Sequence, residues 1–339
     1  MKAFWDPAQL RHTPRFFLQR GQVRQNFEGP ERAWALMQGL HEAKISALLP
    51  QSVPRTALEA VHDPAYLDFL ENAYAAWAAL PDAGPELVPN IHASPEMLAH
   101  GAMPGGLIGQ LGWFTADTSC PIGAGTWGAA LAAAGCALAA ADEVAQGRHA
   151  YALTRPPGHH AYPARAGGHC YLNNAAIAAE RLRARGARRV GILDIDSHHG
   201  NGTQGVFWTR DDVRFASVHG DPVGYYPWYV GHAAERGAGP GLGYTLNLPL
   251  PSGTGDIAWL EAVATGLGSL SGCDALVLSL GFDASEQEPL SFLRVTADGF
   301  ARAAARIAAA GLPTCIVQEG GYNTKTIGPL LTRFLGAFL

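Results

Sequence analysis

The sequence lacks three features that would assign it to a specialised class of protein. Its formal net charge is −5, so it has no excess of basic residues of the kind that nucleic-acid-binding proteins carry. Its five cysteines are an odd number scattered along the chain, which argues against a disulfide framework and suits a reducing compartment. The longest apolar run, at 129–141, stops at Asp142 and is too short for a membrane span, and Asp6 comes too early for a signal peptide. These absences predict a soluble, cytoplasmic protein that binds neither nucleic acid nor membranes.

Charged residues are also few, at 16% against 48% hydrophobic residues, and the apolar residues form short runs that alternate with helical stretches. Strand-like runs lie at 151–154, 189–196, 213–218, 274–281 and 313–320, and helix-like stretches at 173–187, 257–270 and 296–311. Continuous apolar strands are typical of parallel sheets that are buried on both faces. The pattern predicts an α/β fold in one domain, with a mostly parallel central sheet flanked by helices on both faces.

One segment, 81–123, has no clear periodicity and is longer than most loops in a compact domain. Its large apolar residues are Ile91, Met97, Leu98, Met103, Leu107, Ile108, Leu111, Trp113 and Phe114. Soluble monomers seldom expose that much apolar surface, and a second copy of the chain would cover it. We therefore expect a long loop insertion that packs in a homodimer; the alternative is that the loop folds back on its own subunit.

Four predicted strands end in side chains that bind metals or transfer protons. In chain order these are His159 and His160, then Asp194, Asp196, His198 and His199, then Asp283, and finally Tyr322. Ligands bind beyond the carboxyl ends of the strands in open parallel sheets. Residues 194, 196 and 198 share one side of an extended chain, and buried carboxylates in that arrangement require a cation. A single histidine at such a place is more often structural, and a single Asp is commonly a helix cap or part of a turn, but together these residues predict a metal site with catalytic groups beside it.

Six motifs, in order along the chain, carry a resemblance to a known family: RPPGHH, GGHCYLNNAAIA, ILDIDSHHGNGTQ, FASVHGDP, SLGFDASEQEP and VQEGGYN. The chain resembles the histone deacetylase superfamily, and within it the bacterial acetylpolyamine amidohydrolases and class II-like deacetylases. The resemblance implies an arginase/deacetylase-like fold over residues 1–339 as a single deacetylase domain. It also implies a zinc-dependent amidohydrolase that removes acetyl or other acyl groups from a small acylated amine or from acetyl-lysine.

The resemblance further implies roles for individual residues. It places zinc on Asp196, His198 and Asp283, an open set of three ligands typical of catalytic zinc. It makes His160 the general base and His159 its electrostatic partner. Asp194 would accept a hydrogen bond from His159, and Asn201 would accept one from His160. Tyr322 would donate a hydrogen bond to the oxyanion. Because a carboxylate raises the pKa of a histidine more than an amide does, His160 is expected to be the readier base. A structural potassium ion is implied at main-chain carbonyls around residues 194, 196 and 198 with Ser217 and Val218, whereas His199 should point away from the zinc.

The sequence departs from the family in the implied substrate tunnel. Gly168, His169, Tyr226 and Leu290 are implied to line it, with His169 in place of Phe or Tyr. Glu288 replaces an Asp, and Leu290 and Gly128 stand where polyamine-selective relatives carry an acid. Residues 11–27 contain four arginines and no acid, so they would repel a polycation if they border the mouth, or would form only a solvated basic patch.

Two functions of other kinds stay open at this point. An arginase-like binuclear metal hydrolase would need a further Asp two residues beyond His198, where this chain has Gly200. A catalytically inactive deacetylase-fold binding protein is the other alternative, although every proposed catalytic position, including Tyr322, is filled.

Overall fold

The computed structural model describes residues 1–289 and 291–339 of the chain. Its strands are β1 (Lys2–Phe4), β2 (Phe16–Gln19), β3 (Gln22–Gln25), β4 (Ala47–Leu48), β5 (Ala150–Ala152), β6 (Val190–Asp194), β7 (Val213–Gly220), β8 (Thr245–Leu250), β9 (Ala275–Leu280) and β10 (Thr314–Gln318). Its helices are α1 (Glu31–Glu42), α2 (Arg55–Glu59), α3 (Pro64–Ala78), α4 (Pro95–His100), α5 (Leu107–Trp113), α6 (Thr126–Val144), α7 (Asn174–Ala184), α8 (Asn201–Phe207), α9 (Asp256–Ser269), α10 (Ala297–Ala309) and α11 (Ile327–Leu335).

Eight of the strands form one sheet in the order β4-β1-β5-β10-β9-β6-β7-β8, and the paired strands all run parallel in the described part of the chain. The antiparallel hairpin of β2 and β3 is separate from it. The predicted α/β fold with a central parallel sheet is therefore confirmed. In addition, β5, β10, β9 and β6 are consecutive neighbours, so the ends of the four strands that carry the candidate site residues meet at one edge of the sheet.

Helices cover both faces of the sheet because strand side chains alternate between two apolar cores. In β9, Ala275 and Val277 belong to one core, with α6 and α7, while Leu276 and Leu278 belong to the other, with α1, α9, α10 and α11. Burial on both faces explains why β6, β9 and β10 are continuous apolar runs in the sequence.

The predicted helices at 173–187, 257–270 and 296–311 correspond to α7, α9 and α10. Thr296 caps α10 as its residue type suggested, because its hydroxyl accepts a hydrogen bond from the Gly299 amide. Gly311, just beyond the helix, has a positive φ of 73°.

The apolar run at 129–141 is part of a longer helix than the sequence suggested, α6, with 19 residues. By length and composition alone this helix could cross a membrane, but 72% of its apolar window is buried inside the protein. It packs against α7 and the sheet as a core helix does.

The segment 81–123, expected as a long loop insertion, includes two short helices. It contains α4 and α5, and its two ends are joined by main-chain hydrogen bonds between Leu87 and Ile122 of 2.9 and 3.1 Å. Leu111 and Phe114 are buried in the core of their own subunit. Four apolar side chains remain exposed: Ile91, Met97, Met103 and Ile108. The segment therefore folds back on its own subunit in part and leaves an apolar surface outward.

The buried histidine His62 makes the stability of the folded protein depend on pH. Nδ1 of His62 lies 3.1 Å from the carbonyl oxygen of Tyr162, and its Nε2 accepts a 2.9 Å hydrogen bond from the amide of Asn173, the N-cap residue of α7. Burial lowers the pKa of His62 to about 4. The pKa of His62 in the unfolded chain is about 6.5. As the pH falls, the unfolded chain therefore binds a proton at His62 before the folded protein does. The stability contributed by neutral His62 is complete above about pH 6.5 and is lost as the pH falls toward 4.

We predict that His62→Gln is less stable than the parent protein at pH 7 but loses less stability between pH 7 and pH 4.5. The expected difference in free energy of unfolding across that range is on the order of 2 kcal/mol. Urea unfolding at a series of pH values measures it. His41→Gln, which changes an exposed histidine on α1, is the matched control and should keep the parental pH slope; parental behaviour in both variants would contradict the assignment.

Candidate active site

Asp196, His198 and Asp283 come together at the carboxyl ends of β6 and β9. Nδ1 of His198 lies 3.2 Å from Oδ1 of Asp196 and 3.0 Å from Oδ2 of Asp283. One ligand atom from each of the three residues lies within 4.8 Å of the other two. The three predicted metal ligands therefore converge on one point, with nitrogen and carboxylate oxygen donors of the kind that bind zinc.

The surrounding backbone is built around the two carboxylates. Asp196 accepts hydrogen bonds from the amides of His198 and Gly320, each 2.8 Å, and Asp283 accepts one of 2.9 Å from the amide of Ser197. A Cβ atom on Gly320 would lie 2.3 Å from a carboxylate oxygen of Asp283 and 2.6 Å from one of Asp196. Only glycine therefore fits at position 320, and the space beside the carboxylates is kept for a ligand of ionic size.

The charges in this cluster are strongly coupled. Burial alone would lower the pKa of His198, but its hydrogen bonds to Asp196 and Asp283 and their negative charge raise it to about 9. Burial would raise the pKa of Asp196, and the positive charges of His159 and His198 lower it below its ordinary value. The carboxylates thus attract positive charge into a buried position, and this donor set fits a divalent cation.

His159 and His160 lie beside the cluster, with ring centroids 4.0 Å apart. Nδ1 of His159 lies 2.9 Å from Oδ2 of Asp194, and Nδ1 of His160 lies 2.5 Å from the amide oxygen of Asn201. Because the Asn201 oxygen accepts only, Nδ1 of His160 carries the hydrogen and Nε2 is left as an acceptor.

The two histidines differ in charge as the pairing predicts. Burial opposes a charge on His159, but Asp194 and Asp196 raise its pKa to about 10. Burial and the positive charges of His159 and His198 lower the pKa of His160 well below its ordinary value. At neutral pH His159 is therefore the charged partner and His160 is a neutral imidazole able to accept a proton.

Tyr322 follows β10 on a loop that is held from two sides. Its backbone amide donates to both carboxylate oxygens of Glu288, at 3.0 and 2.9 Å. The guanidinium of Arg32 lies 4.8 Å from its ring centre and donates to the carbonyls of Gly321 and Glu319, at 2.6 and 2.5 Å. Burial raises the pKa of Tyr322 well above its ordinary value, so its hydroxyl remains a hydrogen-bond donor. Glu288, the departure from the family motif, is thus the acceptor that holds this loop.

A pocket of about 460 Å³ leads to these groups and includes His159, His160, His198 and Tyr322 in its lining. Gly168, His169 and Tyr226 line it as expected. A Cβ atom on Gly168 would lie 2.4 Å from the His160 ring, and its φ is +53°, so glycine is required there. The ring of His169 meets those of Phe17 and Tyr322 at 5.8 and 6.0 Å, and burial lowers its pKa. Leu290, the fourth expected lining residue, lies outside the described residues.

Two further positions can be placed relative to the pocket. His199 points away from the cluster, and its Nε2 lies 3.1 Å from the side-chain oxygens of Gln204 and Asn247. Gly128 is exposed on α6 and is absent from the described residues that line the pocket.

Comparisons with known proteins agree with this geometry. The model of the histone deacetylase domain matches residues 26–338. The chain belongs to the histone deacetylase family. It is 46% identical to an acetylpolyamine amidohydrolase of Burkholderia pseudomallei, over 100% of this chain and 98% of that protein. It is 40% identical to an acetylpolyamine amidohydrolase of Mycoplana ramosa, over 91% of each chain.

Two solved structures are similar to this histone deacetylase family chain. The crystal structure of the acetylpolyamine aminohydrolase from Burkholderia pseudomallei matches with a TM-score of 0.95, over 100% of this chain and 98% of that one. The HDA15 HD domain matches with a TM-score of 0.82 at 27% identity, over 100% of this chain and 88% of that one.

Three supporting residues of this family member were missed in the sequence. Glu319 is buried, and its carboxylate accepts hydrogen bonds from the amides of Gly158 and His159, at 2.7 and 3.2 Å. Arg32 was missed because the site residues that it contacts, Glu319 and Gly321, lie far away along the chain. Asp117 accepts from the Tyr226 hydroxyl at 2.6 Å and the Gly168 amide at 3.0 Å. It is the only acid between Glu96 and Asp142 in an apolar stretch, and that isolation was a usable signal.

Proposed function

We propose that the protein is a zinc-dependent amidohydrolase that removes acetyl or other acyl groups from amines. The observation that supports this proposal is the convergence of Asp196, His198 and Asp283, with His198, His160 and Tyr322 in the lining of one pocket. When bound there, zinc supplies Lewis-acid polarisation for amide hydrolysis. Iron(II) is the alternative ion because two of the three ligands are carboxylates.

The chain's own residues account for the proton transfers. Nε2 of His160 accepts a proton from the attacking water and returns it to the nitrogen of the departing amine. The hydroxyl of Tyr322 donates a hydrogen bond to the carbonyl oxygen as negative charge develops on it. Charged His159, paired with Asp194, disfavours a second positive charge and so keeps His160 available as a base between turnovers.

The two alternatives have less support. An arginase-like binuclear site needs further carboxylate ligands, and the described residues contain a single group of three with the required geometry. At position 200, a Cβ atom would lie 2.2 Å from Oδ2 of Asp194, so an aspartate could not replace Gly200 without displacing that side chain. An inactive binding protein is tested by the measurements below.

Several finer properties belong to the same proposal. We expect a structural potassium ion between the ends of β6 and β7, where Asp194 and Ser217 are register neighbours. The substrate is a small acylated amine or acetyl-lysine, and residues 1–339 act as one domain because the pocket takes residues from Phe17 to Tyr322. Five free thiols support a cytoplasmic location, with neither nucleic acid nor membranes as partners.

We predict that His160→Ala and Tyr322→Phe each lower kcat by a factor on the order of a hundred or more, because they remove proton transfer and oxyanion stabilisation respectively. Release of acetate from an N-acetylated amine measures the effect. His41→Ala and Tyr74→Phe are matched controls outside the pocket. Full activity in both active-site variants, or none in the parent protein with bound metal, would overturn the proposal.

We predict one transition-metal ion per chain. Elemental analysis should identify it, a chelator should remove it together with activity, and one equivalent of zinc should restore both. Asp283→Ala should purify with little metal because it removes one of three ligands, whereas Asp211→Ala, an exposed aspartate, should retain a full equivalent. Two ions per chain would favour the binuclear alternative.

We also propose that α4, α5 and the chain around them form the interface of a homodimer. The support is the set of exposed apolar side chains of the segment 81–123: Ile91, Met97, Met103 and Ile108. A partner on this surface would narrow access to the pocket, because Ser119 and Asp117 of the same segment lie at the tunnel wall. Small or extended acylated amines would then be processed and folded acetylated proteins would be poor substrates.

We predict a mass by light scattering of twice the 35.7 kDa chain. Met97→Glu combined with Ile108→Glu should shift the protein toward monomer, because it places charge in an apolar interface. Ile257→Glu, at an exposed isoleucine on α9, is the matched control and should remain dimeric. A monomeric parent protein that deacetylates folded histones efficiently would contradict the proposal.

A further inference from the structure

The mouth of the pocket is formed in part by the β2–β3 hairpin. Phe17, Leu18, Gln19 and Arg20 of this hairpin line the same pocket as His198 and Tyr322. Phe17 anchors the hairpin because its buried ring meets His169 of the tunnel wall. The hairpin is therefore part of the substrate entrance, and the charge that it carries faces an incoming substrate.

Arg20 is held at the tip of this hairpin by the backbone. The two turn residues, Arg20 and Gly21, have φ values of 51° and 72°, the left-handed conformation of a two-residue hairpin turn. A non-glycine residue is uncommon in that conformation, so the position of the arginine is fixed by the turn rather than by a partner side chain. The side chain is exposed, and none of the ion pairs in the described part of the chain includes it.

No acid offsets this charge on the pocket surface. Among the described residues that line the pocket there is no Asp or Glu. Asp196 and Asp283 contact His198 but are not among the described residues of the lining. Asp117, beside the wall, already accepts hydrogen bonds from the Tyr226 hydroxyl and from the amides of Gly168 and Ser119. The other arginines of the segment 11–27 are not in the lining of this pocket: Arg11 and Arg15 border a separate cavity with Glu86, and Arg24 lies on β3. The potential at the entrance therefore favours anions over polycations.

We infer that Arg20 selects acylated amines whose far end carries a carboxylate, and that a polyamine with a free ammonium end is disfavoured. The inference rests on the proposed amide hydrolysis at the same site. In that reaction water adds across the C–N bond of an ω-acylamino acid, the acyl group leaves as a carboxylic acid, and the other product is an ω-amino acid. The apolar arm lies in the tunnel beside Tyr226, and the carboxylate is left at the mouth with Arg20.

A matched set of acetamides tests the inference. ω-Acetamidohexanoate and N-acetylcadaverine have the same arm of five methylenes and differ at the end in a carboxylate or an ammonium group. We expect kcat/KM to be about tenfold higher for the carboxylate, since an exposed ion pair gained and a repulsion avoided together amount to about one decade. Arg20→Glu should reverse the preference, and Arg20→Gln should reduce it to near unity. Raising the salt from about 20 mM to about 500 mM should compress the parental ratio.

Arg24→Gln is the matched control, because Arg24 lies on β3 of the same hairpin but outside the pocket lining; it should keep the parental ratio. N-hexylacetamide has no charge, so its hydrolysis by the parent protein tests the proposed amide hydrolysis independently of Arg20. If none of the three acetamides is hydrolysed, the proposed function fails. Calorimetric binding of the charged pair then still decides the role of Arg20.

A ratio in the parent protein that favours the ammonium compound would overturn the inference while leaving amide hydrolysis intact. A ratio that is the same in the parent protein, Arg20→Gln and Arg20→Glu would do so as well.

Discussion

The contact of His198 with the carboxylates of Asp196 and Asp283 is the interaction on which the rest of the site depends. Two carboxylates at the buried end of a parallel sheet are unfavourable unless positive charge and hydrogen-bond donors surround them. The chain supplies the donors from the backbone, through the amides of His198, Ser197 and Gly320. These amides belong to the segments that follow β6 and β10, so satisfying the carboxylates also fixes the positions of those segments. The geometry of the site is in this sense a consequence of charge burial.

A second buried charge network connects the site to the N-terminal part of the chain. Glu28 pairs with Arg32 at 2.6 Å and with Arg155 at 3.0 Å, and all three side chains are buried. Burial would raise the pKa of Glu28, but the positive charges of Arg155 and Arg32 lower it, so the Glu28 carboxylate stays ionised. Arg32 also donates to the carbonyls of Glu319 and Gly321 beside Tyr322. The start of α1 therefore holds the loop after β10 through the guanidinium of Arg32.

The parts of the fold and the site that could be predicted are those with a local signal. Strands β6, β9 and β10 are buried on both faces and appear as continuous apolar runs, and their terminal Asp, His and Tyr residues come into contact because parallel strands end at one edge. Strands β1 and β4 have only three and two residues, which is too short for periodicity. Arg32 and Glu319 contact residues far away in the sequence, which no local pattern encodes. Helices α4 and α5 have six and seven residues, and they were not predicted because they too are too short to show periodicity.

The residues at the buried strand ends and those at the exposed entrance are also constrained differently, and this difference affects which substrate the site accepts. The candidate metal ligands and His160 lie at the ends of strands whose packing restricts every neighbouring residue, down to the absence of a Cβ at Gly320 and Gly168. The positive charge at the entrance comes instead from Arg20 in an exposed two-residue turn, where substitutions meet few neighbours. Exposed positions of this kind can change without cost to the core. Sequence identity over the whole chain is therefore a better guide to the reaction at the site than to the amine that the protein uses as its substrate. In a chain 46% identical to an acetylpolyamine amidohydrolase, the entrance is therefore the part of the site where a difference in substrate is most easily acquired.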